Sequence, residues 1–329
     1  MPANPPIVEV AQLEKTFVVR RRAGRLRRTR DVVPAVDGIT FDVTAGETVG
    51  YIGPNGAGKS TTIKMLTGIL TPSAGRVRVV GLDPSRDRVQ LARRIGVVFG
   101  QRTTLWWDLP LRDSFELLRR LYRIPVTRYR ANLTRLVDLL DLGPLMDMPV
   151  RQLSLGQRMR GDLTAALLHD PEILYLDEPT IGLDVVSKAA VRRFLAALTA
   201  EQGTTLLLTT HDLDDIERLC DRVMVIDHGR LAYDGDLAGL RAQVPAERTL
   251  VVDLAEPAAP LDVPGARVTR VDGPRQWLAF GPGTNAAALV MAVTARHELV
   301  DLSIREPDIE EVIARIYRRD RSAAGRGST

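Results

Sequence analysis

Gly53-Pro54-Asn55-Gly56-Ala57-Gly58-Lys59-Ser60 narrows most what this chain can fold into. It follows a strand-like run, Thr48–Ile52, and opens a helix-like run that reaches about Thr67. A strand, this glycine-rich turn and a helix in that order are the context of a phosphate loop, the alternative being a glycine-rich turn with no ligand. The glycines let backbone N–H groups turn inward toward phosphate oxygens, and the helix N-terminus adds its positive dipole end. Lys59 offers a flexible charge to β- and γ-phosphates, and Ser60 offers a hydroxyl to Mg²⁺. The basic residues are nearly all arginine; Lys15, Lys59, Lys64 and Lys188 are the lysines. Lys59 therefore stands where arginine could not serve the same chemistry.

A second signal is Ile173-Leu174-Tyr175-Leu176-Asp177-Glu178-Pro179, an apolar strand ending in two carboxylates. At the C-terminal edge of a parallel sheet these face the ligand crevice. Asp177 suits Mg²⁺, directly or through water, and Glu178 suits a base that orients and deprotonates an attacking water. The alternative is a solvated acidic turn. Leu153-Ser154-Leu155-Gly156-Gln157-Arg158 precedes a helix: Ser154 can cap its first amides and face a phosphate, and Gly156 permits close backbone approach.

Strand patterns occupy residues 7–10, 39–43, 48–52, 76–80 and 95–99, with a turn at Ala45-Gly46-Glu47. Leu and aromatic residues at helical spacing mark a helical insert through about 102–170. Strands return at 173–176, 205–209 and 222–226 with helices between, the alternation of a parallel sheet covered on both faces. Residues 241–248 read as a polar linker. A small α+β domain follows at 249–318: strands at 249–253, 267–271, 276–280 and 299–304, and helices at 285–297 and 308–318. A disordered tail is expected at 319–329.

The chain has 329 residues, 45% hydrophobic, with a net charge of +4, enough for one large α/β domain and a small second one. The mild basicity gives no reason to expect a nucleic-acid partner. The single cysteine, Cys220, allows no internal disulfide and fits a reducing cytosol. No secretory leader is expected at residues 1–6, and no apolar run approaches the ~18 residues of a membrane span. Work at a membrane would need docking onto another protein.

Together these features resemble the ATP-binding cassette (ABC) family, specifically its nucleotide-binding subunits, over residues 7 to about 240. The resemblance rests on the loop at 53–60, Gln101, the signature at 153–157, the acidic strand at 173–178, the turn Gly182-Leu183-Asp184, and His211 after a strand. It implies a P-loop NTPase of the α/β class, an ABC ATPase with an antiparallel β subdomain and a helical insert, occupying 1–240. ATP and Mg²⁺ are the cofactors it implies.

By that resemblance Gly53, Pro54, Asn55, Gly56, Ala57, Gly58, Lys59, Ser60 and Thr61 hold the nucleotide. Phe17 is similar to the aromatic that stacks on adenine, a core position being the alternative. Gln101 reaches Mg²⁺ and the attacking water, with Ser60 and Asp177 as the other metal ligands. Ser154, Gly156 and Gln157 contact the γ-phosphate held by another cassette, Asp184 lies across the seam, and His211 touches the γ-phosphate. One loop and one signature per chain imply two cassettes, by default a homodimer. A separate membrane permease completes the machine, at the cytoplasmic face of a bacterial membrane.

Leu155 and Ile181 depart from the commonest family pattern and look similar to variants in export-type ATPases. Residues 96–115 resemble bacterial drug- and viologen-export ATPases, as does the trailing domain. Trp106 and Trp107 are adjacent on a loop that in the family faces the permease; packing against the helical insert is the alternative. Arg20, Arg21, Arg22, Arg25, Arg27, Arg28 and Arg30 form either a solvated hairpin tip or a contact for anionic lipid headgroups or an acidic partner. Two rivals are a soluble ABC ATPase acting on translation or DNA repair machinery and a regulatory nucleotide binder.

Overall fold

The computed structural model describes residues 6–22, 28–100, 102–210, 212–243, 247–281 and 283–305. Gln101, His211, Arg25, Arg27, the helix expected at 308–318 and the tail at 319–329 lie outside the described residues, as do the side chains of Arg20, Arg21, Arg22, Arg28 and Arg30. The chain divides into two compact units, Met1–Asp236 and Leu237–Thr329.

The first unit begins with β1 (Pro6–Arg22) and β2 (Arg28–Thr44), an antiparallel pair, followed by β3 (Thr48–Ile52) and α1 (Lys59–Leu66). Gly46 supplies the positive φ of 83° that turns β2 into β3. β4 (Ala74–Val79) joins β1, making a three-stranded sheet in the order β2-β1-β4. β4 pairs with β1 only as far as Glu14, so β1 and β2 continue beyond it as a two-stranded ribbon. The ribbon extends the strand expected at residues 7–10 to Arg22, because each strand satisfies the other's backbone.

α2 (Arg88–Ala92), β5 (Ile95–Phe99), α3 (Leu111–Tyr122), α4 (Val126–Leu139) and α5 (Leu155–Leu167) follow, then β6 (Ile173–Asp177), α6 (Val185–Gln202), β7 (Thr205–Thr209), α7 (Leu213–Leu219), β8 (Arg222–Asp227) and β9 (Arg230–Asp236). The second sheet runs β5-β6-β7-β3-β8-β9. Its strands are parallel except β9, which returns antiparallel on β8. The purely parallel expectation fails there because His228-Gly229 makes a tight turn, both residues at positive φ, rather than a helical crossover. β3, β6 and β7 are buried on both faces, which explains their continuous apolar runs. One core joins the sheets: Val8, Phe41 and Val79 pack with Tyr51, Ile63 and Tyr175.

The second unit opens with α8 (Leu237–Ala242), where a polar connector was expected from 241, and continues as β10 (Arg248–Leu254), β11 (Ala266–Asp272), β12 (Arg275–Phe280), α9 (Ala286–Thr294) and β13 (Leu299–Arg305). Its antiparallel sheet, β11-β12-β10-β13, buries Leu250, Val252, Leu278 and Phe280 against Leu289 and Val293 of α9. No helix among the described residues is long and apolar enough to cross a membrane.

Candidate functional site

The parallel strands β3, β5, β6 and β7 all end at one edge of the sheet, and the chemistry-bearing residues sit on those ends. The loop after β3 is held by steric limits. A side chain on Gly53 would strike the Ile226 carbonyl, and one on Gly58 the Ala35 carbonyl. Gly58 also caps α1 at φ 110°, a conformation that a side chain would strain. Ala57 N–H donates to Pro54 O at 3.1 Å, and Gly229 N–H donates to Ala57 O at 3.0 Å. Ser60 and Thr61 lie in the first turn of α1.

Lys59 is buried and reaches back over the loop. Its Nζ donates to Gly53 O at 2.6 Å and to Pro54 O at 3.2 Å. Burial lowers its pKa, and the charges of Glu178 and Asp177 partly restore it. The ammonium therefore rests on carbonyls in a partly desolvated pocket, a position from which phosphate oxygens can attract it.

At the end of β6, Asp177 Oδ1 accepts from Ser60 Oγ at 3.2 Å and from Thr209 Oγ1 at 2.6 Å. Thr209 pairs with Asp177 across β6 and β7. Glu178 N–H donates to Thr209 O at 2.9 Å, and Glu178 takes a left-handed φ of 54°. Such a conformation is uncommon for a residue with a side chain and is held here by its neighbours. Gly100 N–H donates to Asp177 O at 2.8 Å, and a side chain on Gly100 would strike the Glu178 carbonyl. Asn55, Ser60, Asp177 and Glu178 line one cavity of about 760 Å³, with Lys64 and Arg102 on its wall.

The signature residues sit elsewhere: none of Ser154, Gly156, Gln157 and Asp184 lines that cavity. Ser154 caps α5 in a reciprocal box: its Oγ accepts from Gln157 N–H at 3.2 Å, and its own N–H donates to Gln157 Oε1 at 2.8 Å. Gly156 is required because a side chain would meet Ser187 of α6. Asp184 caps α6, accepting from Val186 N–H at 3.0 Å and from Ser187 N–H at 2.9 Å. The Ser187 hydroxyl, first among these donors, holds the Asp184 carboxyl below its ordinary range. The two departures also pack here: Ile181 lines the cavity beside Gly100, and Leu155 lies against Gly182.

Phe17 is no core residue. It is 38% exposed on the ribbon, with Lys15 Nζ 5.4 Å from its ring centroid. Lys15 pairs with Val36, whose Cγ2 approaches Gly58, so this stretch of hairpin passes the phosphate loop. Trp106 and Trp107 are 41% and 51% exposed, and Trp107 also lies under Arg158 of α5, 5.5 Å from guanidinium to ring centroid.

Sequence reasoning missed Thr209 and Asp215. Thr209 ends a strand two residues before His211, a position that could have flagged it. Asp215 is fully buried, accepting from Thr180 Oγ1 at 2.6 Å, from Thr210 Oγ1 at 3.1 Å and from Arg192. It thus ties the turn after Glu178 to the residue before His211.

A family model for the ABC transporter matches residues 36–181. The daunorubicin resistance ATP-binding protein DrrA3 of Streptomyces coeruleorubidus is 36% identical over 87% of this chain and 92% of its own length. The Nod factor export ATP-binding protein I of Sinorhizobium fredii is 35% identical over 87% of this chain and 82% of its own. Among solved structures, the dimeric ATP-binding cassette MJ0796 in a post-hydrolysis state, bound to ADP and Pi, superposes with a TM-score of 0.60 at 25% identity. That match covers 70% of this chain and 98% of the cassette. The chain belongs to the ABC transporter family, as one of its ATP-binding, ATP-hydrolysing subunits.

Proposed function

We propose that this chain hydrolyses MgATP at sites shared between two copies of itself and so drives a separate membrane permease, as an exporter. The observation that carries the reading is the convergence of Lys59, Ser60, Asp177 and Glu178 on one sheet edge, apart from Ser154, Gly156 and Asp184. A phosphate loop without a signature beside it is half a site, and a two-fold dimer completes it twice. The dimeric form of the MJ0796 cassette supports this arrangement.

Gly53 to Thr61 would hold the phosphates and Phe17 would stack on adenine. Ser154, Gly156 and Gln157 would meet the γ-phosphate across the seam. Ser60 Oγ and Asp177 Oδ1, 3.2 Å apart, are hard oxygen donors that fit Mg²⁺, which keeps most of its shell as water and phosphate. Gln101 and His211 retain their expected roles toward the metal, the water and the γ-phosphate. When bound, Mg²⁺ neutralises phosphate charge; Glu178 orients the water and accepts its proton. We take the cassette as the first unit, ending at Asp236, and the trailing domain as the second, opened by α8.

Export follows from relatives named for drug resistance and Nod factor export. The exposed Trp106 and Trp107 form the docking point for the permease, at the cytoplasmic face of the membrane. Arg20 to Arg30 would contact anionic lipid; replacing Arg20, Arg21, Arg22 and Arg25 with Gln should then weaken binding to acidic vesicles, and unchanged binding would remove that contact. The shared site is tested by size-exclusion chromatography of Glu178→Gln with MgATP. A nucleotide-dependent dimer is expected, and a monomer that retains ATP would overturn the shared site.

A further inference from the structure

One face of α5 meets the loop that follows Gln101 at Thr103, Thr104, Leu105 and Trp107. Arg158, Gly161 and Asp162 stand three and four positions apart, so they share that face. Arg158 lies over Trp107, 5.5 Å from guanidinium to ring centroid. Gly161 leaves room for Leu105 and Leu111, whose methyl carbons would stand 3.0 and 3.1 Å from an added Cβ.

Asp162 is buried at 5% exposure, and its Oδ1 accepts three hydrogen bonds. They come from Thr103 Oγ1 at 2.9 Å, Thr104 N–H at 2.9 Å and Thr104 Oγ1 at 3.1 Å. Leu105 N–H donates back to Thr103 Oγ1 at 3.1 Å, closing the turn. A buried carboxylate is costly, and a leucine would fill the same volume more cheaply. What leucine cannot supply is a directed set of hydrogen bonds between the helix and the loop's backbone and hydroxyls.

The loop has two ends of interest. Upstream, Gly100 is bonded to Asp177 in the phosphate cavity. Downstream, Trp106 and Trp107 face solvent. α5 is capped by Ser154, eight residues before Asp162, or about 12 Å along the helix axis.

We propose that Asp162, gripped by Thr103 and Thr104, is the positioning residue that makes the tryptophan loop and the Ser154-capped helix move as one body. This rests on the ATPase reading above. Movement of Ser154 toward a nucleotide on the partner copy then shifts Trp106 and Trp107, and force on the tryptophans shifts Ser154. Thr103 and Thr104 are the other half of the joint.

The tryptophans report on this directly. Trp106, Trp107 and Trp277 are the three in the chain, so Trp277→Phe leaves emission from the loop alone. In a Glu178→Gln, Trp277→Phe background, MgATP should change that emission. Asp162→Leu, and separately Thr103→Val with Thr104→Val, should bind a fluorescent ATP analogue within about threefold of the background while losing more than about half of the emission change. Asp162→Asn keeps Oδ1 as acceptor at nearly the same volume and should retain the emission change; its loss in Asp162→Asn would count against the grip. The threonine pair keeps the test open if Asp162→Leu fails to fold. A full emission change in the threonine variant, or none in a background that binds ATP, would overturn the joint. A background that binds no ATP would overturn the ATPase reading and the joint with it.

Discussion

Lys59 shows how little freedom the site allows a single side chain. Its ammonium sits 2.6 Å from Gly53 O inside a loop where Gly53 and Gly58 have no room for a side chain against neighbouring carbonyls. A guanidinium is longer and planar and cannot occupy that point. Lys59→Arg should therefore lower affinity for a fluorescent ATP analogue at least about tenfold, the scale of one charge-assisted hydrogen bond. Circular dichroism should remain that of the folded chain; affinity within about twofold of wild type would contradict the role. Lys59 was legible because its setting is local: strand, loop and helix lie within twenty residues. Thr209 was not, because its bond to Asp177 joins residues 32 apart in sequence. Glu178 was legible as a carboxylate at a strand end, but its left-handed backbone was not, since only its neighbours impose it.

At the scale of elements, α5 joins its Ser154 cap to the tryptophan loop through a carboxylate that no periodicity marks. Asp162 and its threonine partners are 58 and 59 residues apart, so the sequence displays an amphipathic helix and hides the joint. Burial raises the Asp162 carboxyl from 3.8 to about 6, against the pull of hydrogen bonds from Thr104 and Thr103 and the charge of Arg158. The folded chain then binds more protons than the unfolded one between those values. This stabilisation is complete below the unfolded value and is lost as pH rises through about 6. The displacement corresponds to up to about 3 kcal/mol. Chemical denaturation should show wild type losing stability relative to Asp162→Asn between about pH 4 and pH 7. A gap between the two chains that does not change with pH would contradict this. β9 teaches the same lesson differently. No strand was expected at 230–236; β9 and its antiparallel direction follow from the His228-Gly229 turn.

At the scale of the molecule, the proposed coupling to a permease rests on exposed side chains. Trp106 and Trp107 offer large apolar area at little conformational cost, the chemistry of a binding hot spot. Because both are exposed, the double change to Ala should leave melting temperature and ATP binding near wild type while abolishing co-purification with the permease from native membranes. An early melt with loss of ATP binding would instead make the pair structural. The sequence shows a break in pattern near residue 241; the structure divides the chain at Asp236, and the helix that opens the second unit was hidden in a polar stretch. The central claim is that Glu178 drives ATP hydrolysis at the end of β6. The most direct measurement is phosphate release from MgATP by purified wild type and Glu178→Gln, each with ATP affinity determined on the same preparation. The account predicts a rate at least about 10²-fold lower in the variant with affinity preserved; equal rates would contradict it.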